Sequence, residues 1–227
     1  MIDRLKVALP LSLAVGLLTF TWLEISLNFT FHWVTNGDLG NGLALPGNVQ
    51  LVAPAGFVSW AVYFAAGPER PALKALVASF LGAGAALLLM WVAPLVADLP
   101  DFWGIAVVTT VIATLAVAAT STGELYFAPG VFAGFATVVF WWIATGLDGW
   151  APGGGGGENN LAALATPEKA GFGAFGGVLS TPVEWVFVSC ALSLGCGVVL
   201  GATSVWLAGV LTPRTSVSQP AATATAV

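Results

Sequence analysis

The stretch Glu124-Leu-Tyr-Phe-Ala-Pro-Gly-Val-Phe-Ala-Gly134 lies between two apolar segments, and a near-copy, Tyr63-Phe-Ala-Ala-Gly67, occurs earlier in the chain. Glycine often follows the last residue of a helix, and proline cannot continue a helix that precedes it. Each copy is therefore predicted to end one apolar helix and to begin the next. The pair predicts an internal repeat of two helical hairpins.

The composition is typical of a membrane protein. Of the 227 residues, 58% are apolar and 7% are charged, whereas a soluble domain carries about 25% charged residues. Apolar runs recur along the whole length, so we expect one membrane domain whose main partner is the lipid bilayer. The chain has six basic and eleven acidic residues. Without a basic patch to neutralise phosphates, it is not expected to bind nucleic acid.

Six apolar segments are predicted to span the membrane as helices. The predicted fold is all-α, an integral membrane six-helix bundle with an internal two-hairpin repeat, in a single domain over residues 1–211. An external glycine-rich loop is expected at 148–180 and a disordered cytoplasmic tail at 212–227. The predicted spans cover residues 7–33, 49–66, 71–96, 102–119, 125–147 and 182–211.

The distribution of basic residues predicts the orientation. Six spans place both termini on one side of the membrane, and five of the six basic residues then fall on that side. Lys169 alone falls on the other side. Because basic residues accumulate on the cytoplasmic side, both termini are expected in the cytoplasm, with the protein in the cell (inner) membrane. The five are Arg4, Lys6, Arg70, Lys74 and Arg214.

A polar stripe lies on the first predicted helix. Thr21, Glu24, Asn28 and His32 are spaced by three, four and four residues, so they fall within about 80° of one helix face. An intramembrane carboxylate is costly unless it is used or paired. The stripe is therefore either a polar path for a solute or ion, or a hydrogen-bonding seam between packed helices.

The two Tyr-Phe-Ala stretches supply candidate helix breaks. A break inside a membrane leaves backbone groups that need partners, and paired breaks often mark binding sites in transporters. The alternative is that both stretches are ordinary turns between helices. The residues concerned are Tyr63, Gly67, Tyr126, Pro129 and Gly130.

Small residues recur at helical spacing and predict close helix packing. Gly82 and Ala86 form one such pair, and Gly130 and Gly134 form another. The last helix carries a longer stripe of five small residues that is expected to be its packing face. That stripe consists of Ser193, Gly197, Gly201, Ser204 and Ala208.

Residues typical of an enzyme are scarce. His32 is the only histidine, and the sequence contains no nucleophile–base pair and no metal-ligand cluster. Residues 171–176 match the pattern GxGxxG, but no strand precedes them, so no dinucleotide site is expected. We therefore expect no catalytic, cofactor-binding or metal site, and no enzyme.

The chain is interpreted as a small-solute or ion channel or secondary transporter, or alternatively as a non-transporting scaffold or subunit, with homo-oligomerisation as a further expectation.

Several short motifs resemble those of one known family. They are Ser59-Trp60-Ala61, Tyr63-Phe64-Ala65, Leu73-Lys74-Ala75, Pro129-Gly130-Val131-Phe132-Ala133-Gly134, Leu192-Ser193-Leu194-Gly195 and Trp206-Leu207-Ala208. In this order they are similar to a family of small prokaryotic inner-membrane proteins catalogued as domain of unknown function 1097. The resemblance implies a helical membrane fold and that location. It implies no activity, because the family has none assigned.

Overall fold

The computed structural model describes residues 2–28, 49, 51–96, 103–144 and 183–212. Every regular element in these ranges is helical, which confirms the predicted all-α class, while the two-hairpin repeat stays a prediction. Short 3₁₀ turns follow α3 at Ala93–Val96 and α4 at Ala119–Thr122. The helices are α1 Ile2–Asn28, α2 Ala53–Ala65, α3 Pro71–Val92, α4 Trp103–Ala118, α5 Ala128–Ala144 and α6 Val183–Leu211. The predicted loop at 148–180 and, apart from Thr212, the predicted tail lie outside the described residues.

Proline and glycine set the bounds of the second and third helices. Pro54 occupies the second position of α2, where its missing N–H leaves no helical hydrogen bond unmade. Gly67 follows the helix with φ 81°, a left-handed conformation that glycine adopts without steric penalty. Pro71 is the first residue of α3. The turn predicted at Gly67 is therefore confirmed, but α2 begins four residues after the predicted residue 49.

α3 and α5 cross with their backbones in contact. A Cβ at Gly82 would meet the carbonyl oxygen of Val131, and a Cβ at Gly134 would meet the backbone of Ser79. Gly130 lies against Ala78, one turn nearer the start of both helices, so the two helices run in the same direction. The small-residue pairs predicted in these helices are thereby confirmed as packing positions.

α2 and α6 form a second close pair, also parallel. Gly197 lies against the carbonyl of Gly56, and Gly201 lies against the ring of Tyr63. Of the five small residues predicted to form the packing face of α6, four are buried and Ala208 is half-buried. The prediction is confirmed, because only small residues let helix backbones approach this closely.

The core lies where α3, α5 and α6 meet, around Met90, Val138, Trp142, Val186 and Leu194. α1 and α4 lie at the periphery. Within α4, which is described along its whole length, Gly104 is the one buried residue. The central bundle therefore consists of α2, α3, α5 and α6, and the outer helices present most of their apolar side chains outward.

Candidate functional site

α2 is a short helix that begins inside the bundle. Its 13 residues extend about 20 Å, less than the roughly 30 Å of a bilayer's hydrocarbon core. The residue before it, Val52, is bonded to Ser193, which follows the first residue of α6 by ten positions, or about 15 Å. α6 has 29 residues. The start of α2 is therefore level with the middle third of α6.

The backbone at this start is extended and buried, and it finds partners within the protein. Val52 has φ −92° and ψ 97° and is 3% exposed. Its N–H donates to Ser193 Oγ at 2.8 Å, and Ser193 donates its own proton to the carbonyl of Ser189 at 2.7 Å. The indole N–H of Trp22 donates to the carbonyl of Ala53 at 3.0 Å. Non-helical backbone is tolerated within a membrane where protein supplies such partners.

A cavity of about 500 Å³ borders the start of α2. On one side it is lined by Val52, Pro54, Ala55 and Val58, and on the other by α5 residues. The α5 residues are Ala133, Ala136, Thr137, Phe140 and Trp141. Its volume falls in the range of small-molecule pockets.

The lining of this cavity is apolar. No charged side chain is among its lining residues. The hydroxyl of Thr137 donates to the carbonyl of Ala133 at 2.8 Å, so its proton is already used. The start of α2 offers few free hydrogen-bond donors to the cavity, because the N–H groups of Ala55 and Gly56 bond to the carbonyl of Val52. The cavity is therefore suited to an uncharged group with apolar surface.

The predicted polar stripe on α1 is only partly within the described residues. Thr21 and Glu24 are half-buried, and the hydroxyl of Thr21 donates to the carbonyl of Leu17 within its own helix at 3.0 Å. Asn28 is the last residue of α1, but its side chain, like the whole of His32, lies outside the described residues. The polar path stays a prediction.

α1 contacts the start of α2 through a different face from the one that carries Glu24. Trp22 is 4% exposed, and a Cβ at Gly56 would meet its ring. At about 100° per residue, Glu24 lies about 160° around the helix from Trp22. Neither Thr21 nor Glu24 lines the cavity. The structure therefore does not bring Thr21 or Glu24 to this site.

The five candidate helix breaks lie at helix ends. Tyr63 is in the last turn of α2 and is buried, and Gly67 follows that helix. The hydroxyl of Tyr126 donates to the carbonyl of Ala116, which ties the approach to α5 onto α4. Pro129 and Gly130 are the second and third residues of α5. These residues therefore shape turns, and the non-helical segment buried beside the middle of α6 is the one before Ala53.

Sequence reasoning missed this segment. Val52 lies in the apolar run Leu51–Ala55, and the sequence predicts only a packing role for Ser193. The available signal was Pro54, because proline favours the first turn of a helix and so argues against a helix that began at residue 49.

In the described part of the chain, four helices are long and apolar enough to cross a membrane, at Val7–Ser26, Pro71–Val96, Trp103–Thr122 and Val183–Leu211. Their packing and the close small-residue crossings define the class, a helical multi-pass membrane protein. No curated protein and no solved structure matches the chain.

One family model, described as "Protein of unknown function (DUF1097)", matches residues 12–184. The match covers most of the chain, which therefore belongs to this family, as the resemblance in the sequence indicated. The match ends at the start of α6, so the motifs noted at residues 192–195 and 206–208 lie beyond it.

Proposed function

We propose that the protein is a small-solute channel or secondary transporter of the cell (inner) membrane, with both termini in the cytoplasm. Its solute site would be the cavity at the start of α2. The observation that carries the proposal is that α2 begins about 15 Å along α6 and not level with its first residue. Helices that begin or end at membrane depth are a recurring feature of transporter binding sites.

α2 is too short to cross the bilayer, and this has a physical consequence for the chain that precedes it. The cavity lies between α5 and the first turns of α2, and the extended residue Val52 forms part of its wall. Extended chain can move without breaking a ladder of helical hydrogen bonds, so access to the cavity can change at small energetic cost. The bonds from Trp22 and Ser193 would hold the closed arrangement.

The cavity supports an uncharged solute in preference to an ion. An ion that leaves water needs partners of opposite charge or several dipoles, and the lining supplies neither. Glu24 remains the candidate for ion or proton coupling, at a place separate from the solute. The proposal involves no chemical step, in keeping with the expectation from the sequence that the chain is not an enzyme.

The alternative function is a non-transporting membrane scaffold or subunit. The outward-facing apolar surface of α4 supports it, because a peripheral helix with few packed residues can bind a partner helix. That partner could be a second copy of this chain. A dry cavity would favour this alternative.

Thiol accessibility tests whether water reaches the cavity. Cys190 and Cys196 are first replaced with alanine, and then single cysteines replace Thr137 in the cavity, Val199 on the outward face of α6, and Glu69 in an exposed turn. Each variant is treated in membranes with a charged, membrane-impermeant thiol reagent. Only a thiolate reacts, and apolar surroundings suppress its formation.

Transport predicts that the thiol at 137 is labelled at nearly the rate of the thiol at 69. The thiol at 199 should react at least about tenfold more slowly, because it stays protonated in lipid. If the thiol at 137 reacts as slowly as the one at 199, no water reaches the cavity, and the scaffold function is to be preferred. A bound solute should slow labelling at 137 and leave position 69 unchanged.

A further inference from the structure

A second, charged cavity lies at the end of the bundle where α3 and α5 begin. Its volume is about 590 Å³, and it is lined by Glu69, Arg70, Lys74, Glu124 and Leu125. The α2–α3 turn and the start of α3 supply two cations and a carboxylate, and the turn before α5 supplies the second carboxylate. Groups of both signs therefore face one space outside the cavity at α2.

These four charged side chains are close to one another but are not joined in ion pairs. Within the described part of the chain, none of them forms an ion pair with an N···O distance of 4.0 Å or less. Lys74 is half-buried, and the other three are exposed. Charges that share a cavity without pairing can each bind a group of the opposite sign on a ligand.

An apolar cavity continues from the charged one. It has a volume of about 340 Å³ and shares Glu124 and Leu125 with the charged cavity. From there it reaches Tyr126 and the α3 residues Val77 and Leu81. Together the two cavities form one continuous crevice, which is charged at one end and apolar beyond it.

The spacing of residues on α3 extends this crevice along the helix. Lys74, Val77 and Leu81 are three and four positions apart, so they share one face. Ala85, four residues further, lines a third cavity of about 140 Å³ between α3, α4 and α5. From Lys74 to Ala85 the face runs about 16 Å. It is charged at one end and apolar along the rest.

We propose that this crevice binds one phospholipid whose head group carries both a phosphate and a primary ammonium. Arg70 and Lys74 bind the phosphate, Glu69 and Glu124 bind the ammonium, and an acyl chain lies along Val77 and Leu81. An anionic head group without an amine would leave both carboxylates facing negative charge. A choline head group has no N–H to donate to them, and free phosphate would leave the apolar crevice unfilled.

Lipid binding to the purified full-length protein in detergent tests the head-group assignment. Phosphatidylethanolamine, phosphatidylcholine and phosphatidylglycerol with identical acyl chains are titrated separately, and bound lipid is counted by native mass spectrometry. We expect phosphatidylethanolamine to bind roughly fivefold more tightly than phosphatidylcholine, the factor expected for one partly exposed charge pair. Equal binding of these two, or tighter binding of phosphatidylglycerol, would overturn the proposal.

Two pairs of variants test the location. Glu124→Gln should remove the preference for phosphatidylethanolamine over phosphatidylcholine, whereas Glu184→Gln, a carboxylate at the other end of the bundle, should retain it. Val77→Trp should fill the apolar crevice and reduce binding of all three lipids, whereas Leu76→Trp, its neighbour on another face, should not. Melting temperatures without added lipid establish that each variant is folded. If either pair behaves alike, the lipid does not bind in this crevice.

Discussion

Replacing Ser193 with alanine removes the hydroxyl oxygen that accepts the N–H of Val52 and adds no atom. In the closed arrangement Val52 is 3% exposed and Ser193 is fully buried, so bulk water does not reach this bond. We expect the free energy of unfolding to fall by about 1–3 kcal/mol, the desolvation penalty of a buried N–H without an acceptor. Hydrogen bonds between membrane helices contribute about 0.6 kcal/mol on average because side chains find other partners. The larger value applies because a backbone N–H, unlike a side chain, cannot change rotamer to find another acceptor.

Ser204→Ala is the matched control. Ser204 lies on the same face of the same helix and is also fully buried, but its hydroxyl donates to the carbonyl of Leu200 in its own helix at 2.7 Å. That carbonyl remains bonded along the helix when the hydroxyl is removed. The expected change in the free energy of unfolding is therefore below about 0.5 kcal/mol.

Both variants can be compared by titrating the protein in mixed micelles with sodium dodecyl sulfate. Far-ultraviolet circular dichroism and tryptophan fluorescence report helix content and packing. Equal losses of stability in the two variants would refute the reasoning, because the N–H of Val52 would then gain nothing from Ser193. The start of α2 would have to be held by packing alone.

Three further predictions use matched substitutions. Gly82→Ala should lower the free energy of unfolding by at least about 2 kcal/mol, because its Cβ would overlap backbone of α5. Gly84→Ala, with open space around it, should instead raise the free energy of unfolding by up to about 1 kcal/mol. Similar values for the two variants in the same titration would contradict the backbone contact. Trp22→Phe should lower the free energy of unfolding by about 1 kcal/mol through loss of the bond to Ala53, and an unchanged value would show that the indole N–H contributes nothing. Glu24→Gln should abolish ion-coupled uptake in proteoliposomes, and unchanged uptake would remove Glu24 from coupling.

The sequence predicted the packing faces well for a definite physical reason. At Gly82 and Gly197 even a Cβ would overlap the backbone of the neighbouring helix, so these packing positions require glycine and can be recognised in the sequence. The stop at Gly67 was equally readable, because a left-handed residue at a helix end favours glycine.

The start of α2 could not be read in the same way. Leu51, Val52 and the residues of the first turn of α2 are apolar, and apolar composition is the same for a buried helix and for a buried extended segment. What holds the extended form is the hydroxyl of Ser193, 141 positions away in the sequence. Periodicity on α1 likewise located a polar stripe but could not show that Trp22, on another face, is the residue that meets α2.

The bond between Val52 and Ser193 also has a consequence for biosynthesis. The ribosome adds about 5–20 residues per second in cells, so the 141 residues added after Val52, up to and including Ser193, take roughly 7 to 28 s to synthesise. During that interval the N–H of Val52 lacks its final acceptor. The start of α2 can therefore reach its final position only after α6 has been inserted.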